Sequence, residues 1–304
     1  MARYWLFRLA AAIVPRVPMR IARLVAIALG TLLWAVAGEM RRRAIRNLRH
    51  IPSLAEHPDR LHAASRGVFQ RMTLNYLDFF RGRMQTDEEI KRGWTIDGLD
   101  ELEQALALGR GVIIVSGHFG NWEFAASRMS LIAGSAVTPA EHMRPERLFE
   151  LFCALRNHHG LRIVAGDSRD SLREILGVLK QGGIVLILSD RYVMGASAQA
   201  SFFGEPAKLP TSPYTLALRG DVPLMAAFTW SEGPDRSHGL FVPLRINDAR
   251  EQASPAGGPA TATRARSGAL VEELQARFLR TLESVIAAHP EQWVSALMSV
   301  WESK

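Results

Sequence analysis

Cysteine is almost absent from the chain, since Cys153 is the single one among 304 residues. An intrachain disulfide is therefore excluded, and a reducing, cytosolic setting is the simplest expectation. Nucleotide-binding signatures are also missing, because neither a P-loop nor a G-x-G-x-x-G run occurs. Hydrophobic residues still make up 48% of the sequence. That share is enough to bury a substantial core, so we expect a folded protein.

Acidic residues are nearly missing from residues 1–50, which hold ten arginines and only Glu39. The rest of the chain is close to neutral, with 27 basic and 29 acidic residues. A basic segment on a balanced body indicates an anionic partner, either a membrane surface or a nucleic acid. Residues 39–50 contain no aromatic side chain among the basic ones, so no nucleic-acid partner is expected.

The basic segment also lacks an apolar run of the ~20 residues that a membrane-spanning helix needs. Leu24–Gly38 is 15 uncharged residues long, and the stretch YWLFRLAAAIVP before it is apolar and partly aromatic. We expect amphipathic helices in residues 1–50 that lie partly in the inner membrane, on its cytoplasmic face. Two core helices of a soluble domain are the alternative. A signal peptide ending at Ala35–Ala37 is not favoured, because the basic cluster that follows would oppose translocation.

Beyond residue 50 the patterns predict one α/β domain, 51–304. Apolar residues at helical spacing predict helices, at 58–82, 99–108, 122–134, 146–159, 168–180, 211–219 and 269–288. Apolar runs predict strands, at 112–115, 162–165, 184–189, 222–230 and 239–246. Their alternation indicates a central, largely parallel mixed sheet flanked by helices. Residues 249–268 are rich in Gly, Pro and Ala, which predicts a mobile surface loop.

The stretch GRGVIIVSGHFGNWEFA, residues 109–125, places His118 just after the first of these strands and before a predicted helix. In a parallel sheet, functional groups collect at the carboxyl ends of the strands. Gly117 and Gly120 allow a tight turn and the close approach of a substrate. Glu123 lies in the first turn of the helix, where it can stabilise that terminus or turn back to hold the Nδ1 atom of His118.

A histidine oriented by a carboxylate can act as a general base on a hydroxyl, because its pKa lies near neutral pH. The alternative is a capping carboxylate beside an ordinary loop histidine. A metal site is not favoured, because zinc-binding helices carry histidines at i and i+4 with further ligands. Ser116 is not favoured as a nucleophile, because Ile114 and His118 occupy the flanking positions where an elbow needs glycine.

Several blocks of sequence follow one another along the chain: RRRAIRNLRHI, WTIDGLDELEQALALGRGVIIVSGHFGNWE, HMRPERLFELFCALRNHHGLRIV, ILSDRYVMGASAQASFFGEPAKLPTSP and HPEQWVSAL. In this order they resemble the bacterial lipid A biosynthesis acyltransferases and their relatives, the phosphatidylinositol mannoside acyltransferases, within the lysophospholipid acyltransferase group. Phe-Phe-Gly-Glu and the pair Asp190–Arg191 are similar to the mannoside branch in particular. The chain departs from the family at SALMSVW, where an aromatic or His-Arg stretch often stands.

The resemblance implies an O-acyltransferase in which the histidine of an H-x4-D/E motif, here His118, is the general base. Its assisting acid is either the carboxylate within the motif, Glu123, or Asp190 after the run IVLILS. Since parallel strands end at one edge of a sheet, both acids can reach the histidine. A helix cap or an ion pair with Arg191 is the alternative for Asp190.

The resemblance also implies the substrates: an acyl thioester of coenzyme A or acyl carrier protein as donor, and a hydroxyl of a membrane glycolipid as acceptor. The acceptor would be a lipid A precursor, a phosphatidylinositol mannoside or a different glycolipid, since all three fit the same motifs. Arg156 would face the donor's phosphates or its carbonyl oxygen, with a solvated helix residue as the alternative. Further candidate substrate-binding residues are Arg191, Gly120, Asn121 and Arg144. No metal, cofactor or covalent intermediate is expected, and a non-catalytic membrane-binding protein or a hydrolase on the same fold are the competing functions.

Overall fold

The computed structural model describes residues 2–157, 160–166, 169–234, 236–245 and 261–301. A seven-stranded sheet forms its centre, and a two-stranded hairpin forms a second, small sheet. The strands are β1 (Trp94–Asp97), β2 (Val112–Ser116), β3 (Ala136–Ala140), β4 (Leu161–Ala165), β5 (Ile184–Leu188), β6 (Ser197–Phe202), β7 (Glu205–Pro210), β8 (Leu224–Gly233) and β9 (Arg236–Pro243).

The large sheet has the strand order β1-β9-β8-β2-β5-β3-β4. Strands β8, β2, β5, β3 and β4 run parallel to one another. Strand β9 is antiparallel to β8 and parallel to β1, while β6 and β7 form the separate hairpin. The predicted central, largely parallel mixed sheet is therefore confirmed, with β2 at its middle.

Helices cover both faces of this sheet. They are α1 (Ala2–Ile13), α2 (Met19–Val36), α3 (Gly38–Leu48), α4 (Pro52–Ala55), α5 (Pro58–Arg81), α6 (Asp87–Lys91), α7 (Leu99–Ala107), α8 (Trp122–Ala133), α9 (Glu146–Arg156), α10 (Arg169–Lys180), α11 (Ser212–Gly220) and α12 (Thr261–Ala288). Residues of α7 and α8 pack with Val112 and Ile114. Residues of α10, α11 and α12 belong to the opposite core, with Ile113 and Val115. Since alternate residues of a strand face opposite sides, both faces of β2 must be apolar, as they are from Val112 to Val115.

The amino-terminal helices are apolar on two sides but packed on only one. Helix α2 lies against α5 so closely that a Cβ on Gly30 would be 2.7 Å from the Cα atom of Gln70. Large apolar side chains on the outer surface of α1 and α2 remain exposed, among them Trp5, Leu6, Leu9, Leu24, Leu32 and Val36. Helix α2 is long and apolar enough to cross a membrane by length and composition. Helix α3 differs, because its Ala44 and Leu48 are buried in the main core.

Most predicted helices and strands match the structure within a few residues. Four strands of the structure were not predicted, namely β1, β3, β6 and β7. Strands β1 and β3 are short and contain polar residues or proline, and β6 and β7 are rich in small and polar residues. Such sequences have weak strand propensity and are held by pairing with neighbours. Helix α12 begins at Thr261, so the predicted loop 249–268 extends too far. Its residues 249–260 lie outside the described part of the chain.

Candidate active site

The register of the two central strands aligns the residues that follow them. Ser116 at the end of β2 is paired with Leu188 at the end of β5. His118 and Asp190 each come two residues after that pair. The parallel register therefore brings both residues to the same level at the carboxyl edge of the sheet.

His118 and Asp190 are in direct contact there. The Nδ1 atom of His118 lies 2.8 Å from Oδ1 of Asp190, and its backbone N–H donates to Oδ2 at 3.0 Å. The indole N–H of Trp293 also donates to Oδ2, at 3.2 Å. Burial raises the pKa of Asp190, but the charge and hydrogen bonds of His118 outweigh it, so the pKa lies below its ordinary value. Asp190 is fully buried and is ionised at neutral pH.

The imidazole of His118 lies on the wall of a large cavity of about 1050 Å³. Because Nδ1 is held by Asp190, Nε2 is the nitrogen left for a ligand, and no described residue hydrogen-bonds to it. The Trp122 ring approaches the imidazole edge-on, with the ring centroids 5.4 Å apart. Such a pair can take a proton at Nε2 while the carboxylate stabilises the charged ring.

The loop that carries His118 is fixed by the carboxyl-terminal segment of the chain. The carbonyl of His118 accepts from the Val294 N–H at 2.8 Å, and the Gly120 N–H donates to the carbonyl of Gln292 at 2.9 Å. These two bonds form a bridge between Phe119 and Trp293. The histidine is therefore held from two sides, by its own strand and by a segment remote in sequence.

Replacing Gly120 with alanine is expected to lower the free energy of unfolding by about 3 kcal/mol or more, since overpacking and a strained φ both contribute. Gly120 has a φ of +58°, and a Cβ there would lie 1.8 Å from the carbonyl oxygen of Thr229. Gly134 is a matched control, because its φ is +72° and a Cβ would meet nothing within 4 Å. Urea denaturation of the two variants measures the difference, and equal losses would contradict the packing argument.

Glu123 contacts Arg156 and not His118. The Nε atom of Arg156 donates to Oε2 of Glu123 at 2.7 Å, and a second N–H of the guanidinium donates to Oε1. The guanidinium also lies 3.7 Å from the centroid of the Phe152 ring. Burial lowers the pKa of Arg156 to about 9, which leaves it charged at neutral pH. Both residues line the cavity, so Arg156 is not a solvated helix residue.

The remaining predicted binding residues lie at different depths. Arg191 lines the cavity, and its terminal nitrogen is 3.4 Å from a carboxylate oxygen of Glu141. Arg144 is exposed. Gly120, Asn121 and Arg144 do not contribute to the cavity wall that the described residues form. Direct substrate binding by these three residues stays a prediction.

Helix α5 supplies two polar contacts that are not among the sequence-based predictions above. Asn75 donates to the carbonyl of Gly120 at 2.9 Å, and Asn121 donates to Asp78 at the same distance. Burial raises the pKa of Asp78 to about 6. The signal in the sequence is LNYLDFF, where two polar residues three positions apart interrupt an apolar run. Helical spacing places both on one side, which here faces the loop.

Comparison with known proteins identifies the family of the chain. The family profile described as "Bacterial lipid A biosynthesis acyltransferase" matches residues 1–298. The phosphatidylinositol mannoside acyltransferase of Mycobacterium tuberculosis (strain CDC 1551 / Oshkosh) is 29% identical over 246 residues, 78% of this chain and 69% of that protein. That of Mycolicibacterium smegmatis is 26% identical over 181 residues, 59% of each.

A third relative comes from the lipid A branch. The lipid A biosynthesis palmitoleoyltransferase of Escherichia coli (strain K12) is 30% identical over 118 residues, 38% of this chain and 37% of that protein. The profile match spans nearly the whole sequence, including the blocks that carry His118, Asp190 and Trp293. The chain therefore belongs to the bacterial lipid A biosynthesis acyltransferase family, and it is an O-acyltransferase.

Proposed function

We propose that this enzyme transfers a long-chain acyl group from an acyl thioester to a hydroxyl of a membrane glycolipid, with His118 as the general base. The thioester is one of coenzyme A or acyl carrier protein. The acceptor is a phosphatidylinositol mannoside or a lipid A precursor, the two classes that the names of the relatives indicate. One observation carries the proposal: the paired imidazole of His118 lies on the wall of a mostly apolar cavity.

The reaction follows from the free Nε2 atom. The acceptor hydroxyl gives its proton to Nε2 of His118 as its oxygen bonds to the thioester carbonyl carbon. The tetrahedral intermediate then collapses, the carbon–sulfur bond breaks, and the leaving thiolate takes the proton back from the imidazolium. One thioester is consumed and one ester is formed, so no covalent enzyme intermediate or cofactor is needed. Asp190 stabilises the charged ring between the two proton transfers.

The cavity wall combines apolar side chains, which suit an acyl chain, with two arginines, which suit anionic groups. Apolar side chains form most of the wall, among them Trp94, Ile114, Met129, Ile163 and Phe241. An acyl chain bound there gains about 0.8 kcal/mol of binding free energy for each methylene that it buries. Arg156 and Arg191 are cations on the same wall, and we assign them to phosphates of the donor or acceptor.

Membrane attachment is the second part of the proposal, and the exposed apolar patch on α1 and α2 supports it. The patch comprises Trp5, Leu6, Leu9, Leu24, Val25, Leu32 and Val36, all at least 57% exposed. Arginines of the basic segment flank it, which favours an anionic headgroup layer. We assign this surface to the cytoplasmic leaflet of the inner membrane, where a soluble thioester donor and a lipid acceptor can meet.

The double variant Leu24→Ser, Leu32→Ser is expected to bind vesicles of phosphatidylglycerol and phosphatidylethanolamine at least about a hundredfold more weakly, since each buried leucine contributes roughly 2 kcal/mol. Leu108→Ser, Leu176→Ser is the matched control, because these leucines are also exposed but lie outside the patch. Vesicle flotation gives the partition coefficients. Equal binding by the two double variants would contradict the membrane assignment.

An activity assay tests the proposed function. Purified enzyme in vesicles is given a palmitoyl thioester of coenzyme A or of acyl carrier protein, together with a phosphatidylinositol mannoside or a lipid A precursor. Mass spectrometry then detects the new ester and the released thiol in equal amounts. Release of free fatty acid without ester would identify a hydrolase, and no turnover with any pair would identify a non-catalytic protein; either result overturns the proposal.

A further inference from the structure

We propose that Trp293 is a positioning residue that fixes the Asp190 carboxylate in the orientation in which it binds the His118 ring. The inference rests on the proposed function, because it assumes that the histidine and aspartate act together in the transfer reaction. It assigns a role in that pair to a residue 103 positions away from Asp190.

The hydrogen bonds around Asp190 divide its two oxygens between two tasks. Oδ1 is bound by Nδ1 of His118. Oδ2 accepts from two N–H groups, the backbone amide of His118 and the indole of Trp293. Because Oδ2 is occupied by donors on both sides, the carboxylate cannot rotate without breaking one of them. The indole thereby keeps Oδ1 directed at the imidazole.

Burial makes the indole N–H hard to replace. Asp190 and Trp293 are both 0% exposed, so water does not take the place of a lost donor at Oδ2. The hydroxyl of Ser295 is near enough to lower the pKa of the carboxylate, but it makes no hydrogen bond of normal geometry with any described residue. His118 is the titratable group that faces the Asp190 carboxylate. The next residue in the chain, Arg191, is paired with Glu141 instead.

The position of the indole is set by its backbone, independently of the ring's own hydrogen bond. The neighbours of Trp293 bind the histidine loop through Gln292 and Val294. The side chain of Gln292 bonds to both backbone groups of Ser231, and Asn47 donates to the carbonyls of Ala296 and Met298. Removing only the indole N–H should therefore leave the segment in place and change the carboxylate alone.

The variant Trp293→Phe tests this inference, and Trp301→Phe is its matched control. The two tryptophans belong to one aromatic cluster, with centroids 6.0 Å apart, and both contact Phe202. The indole N–H of Trp301 has no hydrogen-bond partner among the described residues. Both variants therefore remove similar packing, but only Trp293→Phe removes a donor from Asp190.

We expect Trp293→Phe to lower kcat about tenfold and to move the acid limb of the pH dependence of kcat/KM downward by about 1 pH unit. Without the indole the Asp190 carboxylate can rotate, which weakens the contact between Oδ1 and Nδ1 of His118. A carboxylate in that position stabilises an imidazolium less, so the acid limb moves to lower pH. The KM for the acyl donor should not change, because Trp293 is outside the cavity wall formed by the described residues. Trp301→Phe should leave the profile where it is.

An unshifted acid limb in Trp293→Phe, or an equal shift in Trp301→Phe, would overturn the inference. If Trp293→Phe does not fold, 3-benzothienylalanine at position 293 keeps the ring shape and replaces the N–H with sulfur, and the same shift is expected. Failure of the proposed function is distinguishable, since it appears as retained transfer after His118→Ala. If His118→Ala loses transfer activity as expected, but the variants at position 293 leave the acid limb of the pH profile unshifted, only the role of Trp293 is rejected.

Discussion

Acyl transfer by the His118→Ala variant is expected to fall about a thousandfold or more, while the protein stays folded. The large effect follows from the proposed reaction, in which the imidazole both takes the hydroxyl proton and returns it to the leaving thiolate, and each step depends on a positioned base. Folding should persist because Asp190 keeps the backbone N–H of residue 118 and the indole of Trp293 as donors. Initial rates of ester formation and thermal unfolding measure the two quantities.

A second histidine variant separates loss of the base from a general effect of the substitution. His62 is exposed on α5, and its Nδ1 atom lies near the carbonyl of Pro58, remote from the cavity wall. His62→Ala should therefore transfer acyl groups at the normal rate. If His118→Ala keeps more than about a tenth of normal activity, the imidazole is not the base, and another group on the cavity wall must take the proton.

The pairing of His118 with an acid is the part of the site that sequence reasoning reaches best. Runs of apolar residues identify β2 and β5 as strands buried on both faces, and parallel strands share their carboxyl edge. That argument allows both Glu123 and Asp190 as partners, because neither spacing nor composition gives the direction of a side chain. The register of Ser116 with Leu188 decides the geometry, and a register is set by the packing of the whole sheet.

The contacts that the sequence does not reveal come from distant segments. Glu123 is the second residue of α8, so its side chain points toward α9 and meets Arg156, 33 positions away. Trp293 reaches Asp190 across 103 positions, and a tryptophan in an apolar segment carries no local sign of such a bond. Short strands such as β3 have the same origin, since pairing with β4 and β5 holds a sequence with little strand propensity of its own.

In the amino-terminal segment, the sequence gives the apolar and basic composition but does not show which side of α2 packs against the rest of the protein. Its apolar and basic character is evident in the sequence, and the structure places exposed apolar residues on one side of α2. The other side packs on α5, where Trp34 donates to the hydroxyl of Ser65 at 3.1 Å and Thr73 donates to the carbonyl of Ala26 at 2.7 Å. Helix α5 also bonds to the loop of His118 through Asn75. One helix thus links the exposed apolar patch on α1 and α2 to the loop of His118.

Asp190→Asn is expected to reduce kcat about a thousandfold, for a reason that lies in hydrogen-bond direction and not in charge alone. If the amide NH2 faces His118, Nδ1 must accept, the ring proton moves to Nε2, and the imidazole cannot act as a base; a wrong tautomer of this kind costs up to ~10⁴ in a serine protease. If the amide is flipped, its NH2 meets two donors, the His118 amide and the Trp293 indole. Both orientations therefore oppose the reaction, and rates of ester formation measure the loss.

Glu123→Gln is the matched comparison, because it makes the same chemical change in the other acid of the site. The Glu123 carboxylate contacts Arg156, so in this variant the His118 ring keeps its hydrogen bond to Asp190. We expect this variant to weaken substrate binding or turnover without moving the acid limb of the pH profile, since the imidazole environment is unchanged. Nitrogen NMR of the labelled histidine should find the proton on Nδ1 in the wild type and in Glu123→Gln, and on Nε2 or mixed in Asp190→Asn. A normal rate of ester formation in Asp190→Asn, or a shifted pH profile in Glu123→Gln, would transfer the supporting role from Asp190 to Glu123.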